Sequence, residues 1–208
     1  MSTIRANSIT DSPGTGAPNF PNGLTSAAGA SLASPALTGT PTAPTATTGT
    51  NSTQIATTAF VDNSLDQYLI LRSVTLDTSS TGAFVNRSLG TTVKNTITGA
   101  SVSSPTFTLP AGIYLFRASA SAYQSNAHHI KLRNTTDATD TLIGSASYSR
   151  NDSNAHPTLS VIDSYFEITG SKNFQVQHFA DIGAKPLYGP GSNGTTMQTL
   201  SVIVQKIG

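Results

Sequence analysis

The sequence predicts a mainly β protein, in which a C-terminal antiparallel jelly-roll sandwich follows an extended N-terminal segment and a short trimerising helix. From Leu69 onward, apolar and polar residues alternate in eight or nine short runs, which clusters of Gly, Pro, Asn and Asp separate. No helical pattern interrupts these runs, which is typical of an antiparallel sandwich. Only 10% of the 208 residues are charged and 7% are aromatic, so a core has to form where the apolar residues are concentrated, in the C-terminal half.

The first 51 residues contain too little apolar side chain to fold alone. Residues 1–24 carry one short apolar alternation and then a dense run of Pro, Gly and Asn. Burial of so few apolar groups cannot offset the backbone entropy of ordering, so this segment is either a disordered tail or a segment that orders on a partner. In residues 25–51 the alternation of Pro with Thr blocks a helix and favours an extended linker.

A short helix is predicted over residues 52–68. Polar side chains at 51–53 can cap its start, and one seam of side chains recurs at steps of three and four residues. The seam consists of Thr58, Val61, Leu65 and Tyr68. Because the seam is narrow, it suits packing against copies of the same helix. The alternative is an ordinary helix that lies on its own domain.

The predicted strands carry apolar side chains on both faces. In the last strand Leu200, Val202 and Val204 face one way, whereas Ile203 and Ile207 face the other. A strand with one solvated face should alternate between apolar and polar residues. We therefore expect the partner sheet to cover one face and a neighbouring subunit to cover the other.

The strand over residues 112–123 has the same character. Ile113 and Leu115 point to one face, and Tyr114 and Phe116 point to the other. The residues expected at the interface between subunits are Val61, Leu65, Tyr68, Tyr114, Phe116, His178, Ile203 and Ile207.

Several stretches resemble bacteriophage structural proteins. The segment SPALTGTPTAPTATTGTNSTQIATTAFV, residues 34–61, resembles the linker-and-helix element of many phage tail-fibre and virion proteins. The stretches FTLPAGIYLFRASASAY, HHIKLRNTTDATDTLIGSASYS, FEITGSKNFQVQHF and TLSVIVQKI are similar to the C-terminal domains of phage tail fibres, which resemble tumour necrosis factor heads in being trimeric jelly rolls. MSTIRANSIT and GTGAPNFPNGL resemble the N-terminal segments of phage structural proteins.

The resemblance implies a homotrimeric tail-fibre or spike protein on the tail or capsid surface of a virion. Residues 1–24 would attach to other virion proteins of the tail, baseplate or capsid, and residues 25–51 would form a linker. Residues 52–68 would form the neck of the trimer, and residues 69–208 the outward head. The attachment residues would be Ile4, Ile9 and Phe20. Because no signal-peptide pattern is visible, we expect synthesis in the host cytoplasm.

Composition and motifs argue against nucleic-acid, membrane and catalytic roles. The net charge is +1 with scattered Lys and Arg, which gives no basic stripe for nucleic acid, and no apolar run is long enough for membrane insertion. The chain has no cysteine, and the adjacent His128 and His129 point to opposite faces of a strand, so no metal site is expected. A Gly-x-Ser-x-Gly elbow is absent and Glu167 is the only glutamate, so we expect neither an enzyme nor a cofactor.

Surface recognition by the loops of the head is the function that remains. The expected partner is a glycan or protein of the host surface, and several weak sites on one particle would act together through avidity. The candidate receptor-binding residues are Tyr123, Asn126, His128, Arg150, Asn151, Asp152, Asn154, His156 and Tyr188. One alternative is a decoration or connector protein that joins the virion to another fibre. The other is a surface-polysaccharide hydrolase, which the lack of paired acids disfavours.

Overall fold

A computed structural model describes residues 39–47, 50–65, 67–183, 185–187 and 198–207, with the side chains of 62 and 63 excepted. The predicted attachment segment, with Ile4, Ile9 and Phe20, and Tyr188 lie outside the described residues. Two compact units divide the chain, Met1–Thr42 and Ala43–Gly208. The described residues of the first unit, 39–42, contain neither helix nor strand.

The helix is shorter than predicted and begins later. It spans Thr58–Leu65, not 52–68, because Thr57 rather than a residue at 51–53 caps it. The backbone N–H of Phe60 donates to Thr57 Oγ1 at 3.1 Å, which is the usual N-cap bond. Tyr68 belongs to the first strand and not to the helix. Eight residues give little helical stability in water, so a helix of this length depends on packing.

Twelve strands are present in the described part of the chain, and they confirm the predicted antiparallel jelly-roll sandwich. Nine short runs were the upper expectation. The two additional strands β2 and β4 are short, and the stretch 141–149 overlaps two strands instead of one. The strands are β1 Tyr68–Ser73, β2 Ala83–Asn86, β3 Thr91–Asn95, β4 Ser101–Ser103, β5 Thr106–Leu109, β6 Gly112–Ala122, β7 Asn126–Asn134, β8 Thr139–Ile143, β9 Ser147–Ser149, β10 Thr158–Ile168, β11 Lys172–Ala180 and β12 Leu200–Lys206.

Two antiparallel sheets form the sandwich. The five-stranded sheet has the order β10-β6-β12-β1-β3. The six-stranded sheet has the order β4-β5-β11-β7-β8, and β9 extends it by pairing with β7. Most neighbouring strands in these sheets are not consecutive in sequence, so the order is that of a jelly roll rather than of a simple meander.

The core lies between the two sheets and is built around four phenylalanines. Phe107 and Phe174 of the six-stranded sheet have ring centroids 5.7 Å apart. Phe166 of the five-stranded sheet lies 5.3 Å from Phe174, and Phe116 lies 6.4 Å from Phe107. All four rings are buried, and each contributes roughly 1.5 to 3 kcal/mol of hydrophobic stabilisation.

The two faces of β6 are the reverse of the prediction. Tyr114 and Phe116, expected between subunits, are fully buried in the core of their own chain. The Tyr114 hydroxyl donates to the carbonyl of Pro110 at 2.7 Å, and burial raises the pKa of Tyr114 to about 12. Ile113 and Leu115 point outward instead and are half-buried. Both faces of this strand are apolar, so alternation alone could not decide which face lies inside.

Candidate functional site

Three connections converge at one end of the sandwich, opposite the end at which the helix leads into β1. Tyr68 at the start of β1 lies beside Gln205, whereas Ser73 at its end lies beside Leu200. The long strand β6 runs the same way and ends at Ala122, next to Thr158. Eleven residues of β6 separate the two ends by roughly 35 Å. The end that contains Ala122 is called the loop end below.

Hydrogen bonds connect the turn at 123–126 with the loop at 150–157. The backbone N–H of Gln124 donates to Ser149 Oγ at 3.0 Å, and its side-chain Nε2 donates to the carbonyl of Asp152 at 3.0 Å. Ser149 Oγ donates in turn to the carbonyl of His156 at 2.7 Å. The third connection joins them because the Tyr123 N–H donates to the carbonyl of Pro186 at 3.0 Å. Most of the candidate receptor-binding residues therefore lie together.

The candidates differ in exposure. The exposed ones are Arg150, Asn151, Asn154 and His156. Tyr123, Asn126 and Asp152 are half-buried. Arg150 forms an ion pair with Asp152 at 2.6 Å. His128 was wrongly placed among the candidates, because its side chain points into the sandwich and is fully buried, while His129 points outward as the opposite-face prediction requires.

His178 was likewise wrongly predicted at an interface between subunits, since it belongs to a buried polar chain under the loop end. Its Nε2 lies 3.0 Å from His128 Nδ1, and His128 Nε2 lies 2.8 Å from Thr158 Oγ1. On the other side, His178 Nδ1 lies 3.5 Å from Nη1 of the fully buried Arg87. These hydrogen bonds thus link Arg87, which follows β2, to His178 of β11, His128 of β7 and Thr158 at the start of β10.

The Arg87 guanidinium fixes which atom donates and which accepts in each of these hydrogen bonds. Arginine can only donate, so His178 Nδ1 must accept, and His178 Nε2 carries the proton that it donates to His128 Nδ1. His128 Nε2–H then donates to Thr158. Both rings are neutral in this arrangement, because a second proton on either ring would bring two N–H groups face to face.

Burial favours the same neutral state. It is the main cause that lowers the pKa of His128 to about 4, and the charges of His129 and Arg87 lower it further. Burial, with Arg87 next in size, also holds the pKa of His178 well below its ordinary value. These hydrogen bonds between the buried histidines are therefore stable at neutral pH and disfavoured in acid.

Arg87 also binds Leu187 and Thr199, which precede and follow Tyr188 in the sequence. Nη1 donates to the carbonyl of Leu187 at 2.7 Å, and Nη2 donates to the carbonyl of Thr199 at 2.8 Å. Asp77 lies 3.3 Å from Nε and offsets the charge, although burial still lowers the pKa of Arg87 to about 10. The Nε–H lacks good hydrogen-bond geometry, so the contact with Asp77 is mainly electrostatic.

The outer face of the five-stranded sheet is a second feature, formed by three rows of cross-strand neighbours and called the uncovered face below. The first row contains Tyr165, Leu115, Gln205 and Tyr68; the second contains Asp163, Arg117, Ile203 and Ile70; the third contains Val161, Ser119, Ser201 and Arg72. Tyr165 is 72% exposed, Val161 43% and Ile203 36%. Arg117 and Asp163 pair with each other at 3.1 Å.

Two shallow depressions open on the uncovered face. One, of about 220 Å³, lies where Ser119 and Ser201 leave room beside Val161. The other, of about 260 Å³, is lined by Tyr68, Ile70 and other residues of the first two rows. The face therefore combines protruding apolar side chains with hollows of comparable size.

The remaining predicted interface residues are partly accessible. Val61 and Leu65 of the helix are 44% and 71% exposed, and Ile207 beyond β12 is 56% exposed. Tyr68 is half-buried.

Sequence reasoning missed two residues that matter at the loop end. Tyr148 is 60% exposed there, but the alternation in residues 141–149 predicts one regular strand. Arg87 sits in a Ser- and Gly-rich connection, where nothing in the sequence distinguishes a buried arginine from a solvated one. Leu187 and Thr199, whose carbonyls Arg87 binds, are distant from it in the chain.

Within the described residues, no group of three or more His, Cys, Asp or Glu side chains is placed to hold a metal ion. The helix that the structure describes is too short to cross a membrane.

Comparisons with known proteins yield structural similarity only. No protein-family model matches the chain, and no curated protein sequence matches it. Murine APRIL at pH 5.0 has a TM-score of 0.49 at 11% identity, covering 66% of this chain and 97% of that chain. The globular domain of zebrafish complement 1qA has a TM-score of 0.44 at 10% identity, covering 67% and 94%. The PRD1 vertex protein P5 has a TM-score of 0.46 at 13% identity, covering 69% and 99%. None of these similarities bears on function.

Proposed function

We propose that this chain is a structural virion protein, a homotrimeric phage tail fibre or spike whose head binds the host cell surface. The uncovered face of the five-stranded sheet is the observation that carries the proposal. The sequence resemblance of residues 34–61 and of the head strands to phage fibre proteins supports the assignment to a virion.

Exposed apolar area is the first argument for association. Besides Tyr165, Val161 and Ile203, the same side of the sheet carries Leu159, 57% exposed, and Ile207. Covering the exposed fractions of these five side chains would contribute about 4 to 8 kcal/mol per chain, at roughly 1.5 to 3 kcal/mol for each large apolar side chain fully buried. An isolated soluble chain rarely leaves so much contiguous apolar surface in water.

Complementary shape and charge favour further copies of the chain as the occupant. A threefold interface joins two different parts of each subunit, so one part must fit the other. Tyr165 protrudes from the edge strand β10, whereas one depression lies across the sheet at Tyr68 and Ile70. Arg117 and Asp163 provide both signs of charge on one face.

The direction of the chain supports a head that points outward. The helix, with its exposed Val61 and Leu65, precedes Tyr68 at one end of the sandwich, and the loop end lies at the other. In a trimer built on the uncovered face, the helices would meet at the neck, and the three sets of loops would be presented together. Residues 1–24 would attach this assembly to other virion proteins.

Competition for adsorption tests the proposal. Purified full-length chain, added to host cells before the phage that encodes it, is expected to slow adsorption in a saturable manner. A variant with Asn154→Ala and His156→Ala should compete more weakly. Ile143→Ala, at an exposed residue of β8 away from the loop end, should compete as well as the unaltered chain. Mass spectrometry of purified virions should find the chain.

Two results would contradict the proposal. Absence of the chain from virions would remove the structural role. A trimer that is present on virions but leaves adsorption unchanged would indicate a decoration or connector protein.

A further inference from the structure

One aromatic side chain is open to solvent at the loop end. Tyr148 is 60% exposed and lies on β9, opposite Ala127 of β7. The small methyl group of Ala127 leaves the ring of Tyr148 accessible. An aromatic ring buries a large area on binding and loses little conformational entropy, so exposed rings of this kind are effective binding contacts.

Two paired charged side chains follow this ring in the chain. Ser149 points inward and is almost fully buried, so strand alternation places Arg150 on the same side as Tyr148. Arg150 is 63% exposed and is paired with Asp152 at 2.6 Å. The ring therefore has a guanidinium and a carboxylate beside it, both with further hydrogen-bonding capacity.

Three hydrogen bonds made by Asp152 hold the loop that carries these groups. The Asp152 carboxylate accepts from the Asn154 N–H at 2.9 Å. The Asp152 carbonyl accepts from the Ala155 N–H at 3.1 Å and from Gln124 Nε2 at 3.0 Å. A loop that is already ordered loses less entropy when it binds a ligand.

The chemistry of this group fits a sugar. A pyranose ring has an apolar C–H face, which can lie on an aromatic ring, and an edge of hydroxyl groups, which donate and accept hydrogen bonds. Asp152 compensates the charge of Arg150, so the group offers directed hydrogen bonds without a net charge that would select an anion.

We infer that Tyr148, Arg150 and Asp152 form a binding site for a neutral saccharide of the host surface. The inference rests on the proposed receptor-binding function and names its ligand class and its main contact. Tyr148 extends from the outer face of the six-stranded sheet, on the opposite side of the sandwich from the uncovered face. The site therefore stays accessible when the five-stranded sheets pack together, and a trimer presents three copies.

Binding of labelled full-length chain to host cells tests the inference. Cells are used untreated, after periodate oxidation, which cleaves vicinal diols of sugars, and after digestion with a broad-specificity protease. We expect periodate to reduce binding at least tenfold and protease digestion to leave it nearly unchanged.

Variants of the chain identify the site. Tyr148→Ala should weaken binding to untreated cells by about tenfold or more, as expected for loss of a main aromatic contact. Tyr148→Phe keeps the ring and should retain most of the binding. Ile143→Ala, also exposed on the six-stranded sheet, serves as the matched control and should bind like the unaltered chain. Unchanged thermal unfolding of Tyr148→Ala excludes misfolding as the cause.

The outcomes separate this inference from the proposed function. If the unaltered chain binds cells and Tyr148→Ala binds equally well, the saccharide site is wrong while receptor binding stands. If protease abolishes binding and periodate does not, the ligand is a protein and the inference is overturned. If the unaltered chain binds no host cell, both fail.

Discussion

Acid should destabilise the head through the buried histidine chain. Below pH 6.5 an unfolded chain binds protons on its histidines, whereas the folded chain keeps His128 neutral until the pH approaches its pKa of about 4. Because the folded-state pKa is lower than the unfolded one, the contribution to stability is complete above pH 6.5. It is lost as the pH falls from 6.5 towards 4.

The magnitude follows from the shift in pKa. Each pH unit inside this window removes about 1.4 kcal/mol per ring from the free energy of unfolding. His128 alone should thus cost roughly 2 kcal/mol between neutral pH and pH 5. His178 acts in the same direction. Hydrogen bonds to lysine lower the pKa values of Asp137 and Asp140 below 3.8. These carboxyl groups therefore titrate below this pH window and do not obscure the effect of the histidines.

Urea unfolding at a series of pH values measures the effect. Protein concentration is held constant, because the stability of an oligomer depends on it. His128→Gln can still accept from His178 and donate to Thr158 but cannot gain a proton, so its unfolding free energy should fall less steeply in acid than that of the unaltered chain. Equal pH dependence of the two proteins, or a gain in stability in acid, would refute the neutral histidine chain.

Two further predictions concern stability. Gly90 and Gly82 both have φ near +62°, but a Cβ at Gly90 would collide with the carbonyl of Arg72, whereas one at Gly82 meets nothing within 4 Å. Gly82→Ala should therefore cost about 1 kcal/mol of unfolding free energy in urea titrations and Gly90→Ala about 3 kcal/mol, and equal costs would contradict the close approach. Arg87→Met should cost about 3 kcal/mol or more, because it leaves the buried carbonyl of Leu187 without its donor, takes one of two donors from that of Thr199 and removes the counter-charge of Asp77. A loss below about 1 kcal/mol would show that these groups find other partners.

The sequence was sufficient to predict the sandwich and most of its strands. The alternation in residues 158–180 and 200–206 corresponds to the long strands β10, β11 and β12. In these strands buried side chains alternate with more exposed ones, as the two-residue period of the sequence predicts. β2 and β4 were missed because runs of three or four residues with exposed or half-buried side chains are too short to carry a periodic signal. The helix start was misplaced because the threonines and serines at 52–58 all offer capping hydroxyls, and the sequence does not distinguish Thr57 among them.

The candidate site was predictable in outline only. Polar loops between strands indicated the loop end, and seven of the nine candidates lie there and are accessible in part or in full. Two adjacent histidines had to face opposite sides, but the sequence could not say that His128 was the buried one. The buried chain through Arg87 depends on contacts between residues about 100 positions apart, which no local pattern records.

Sedimentation velocity of the full-length chain at micromolar concentration tests the central claim most directly, since the proposed function requires neighbouring copies on the uncovered face. We expect a single species with three times the 21.4 kDa mass of one chain. Ile203→Asp, on the uncovered face, should shift it towards monomer, whereas Ile143→Asp, an equally drastic change at an exposed isoleucine of the other sheet, should leave the trimer intact. A folded monomer for the unaltered chain, or equal behaviour of the two variants, would contradict the account.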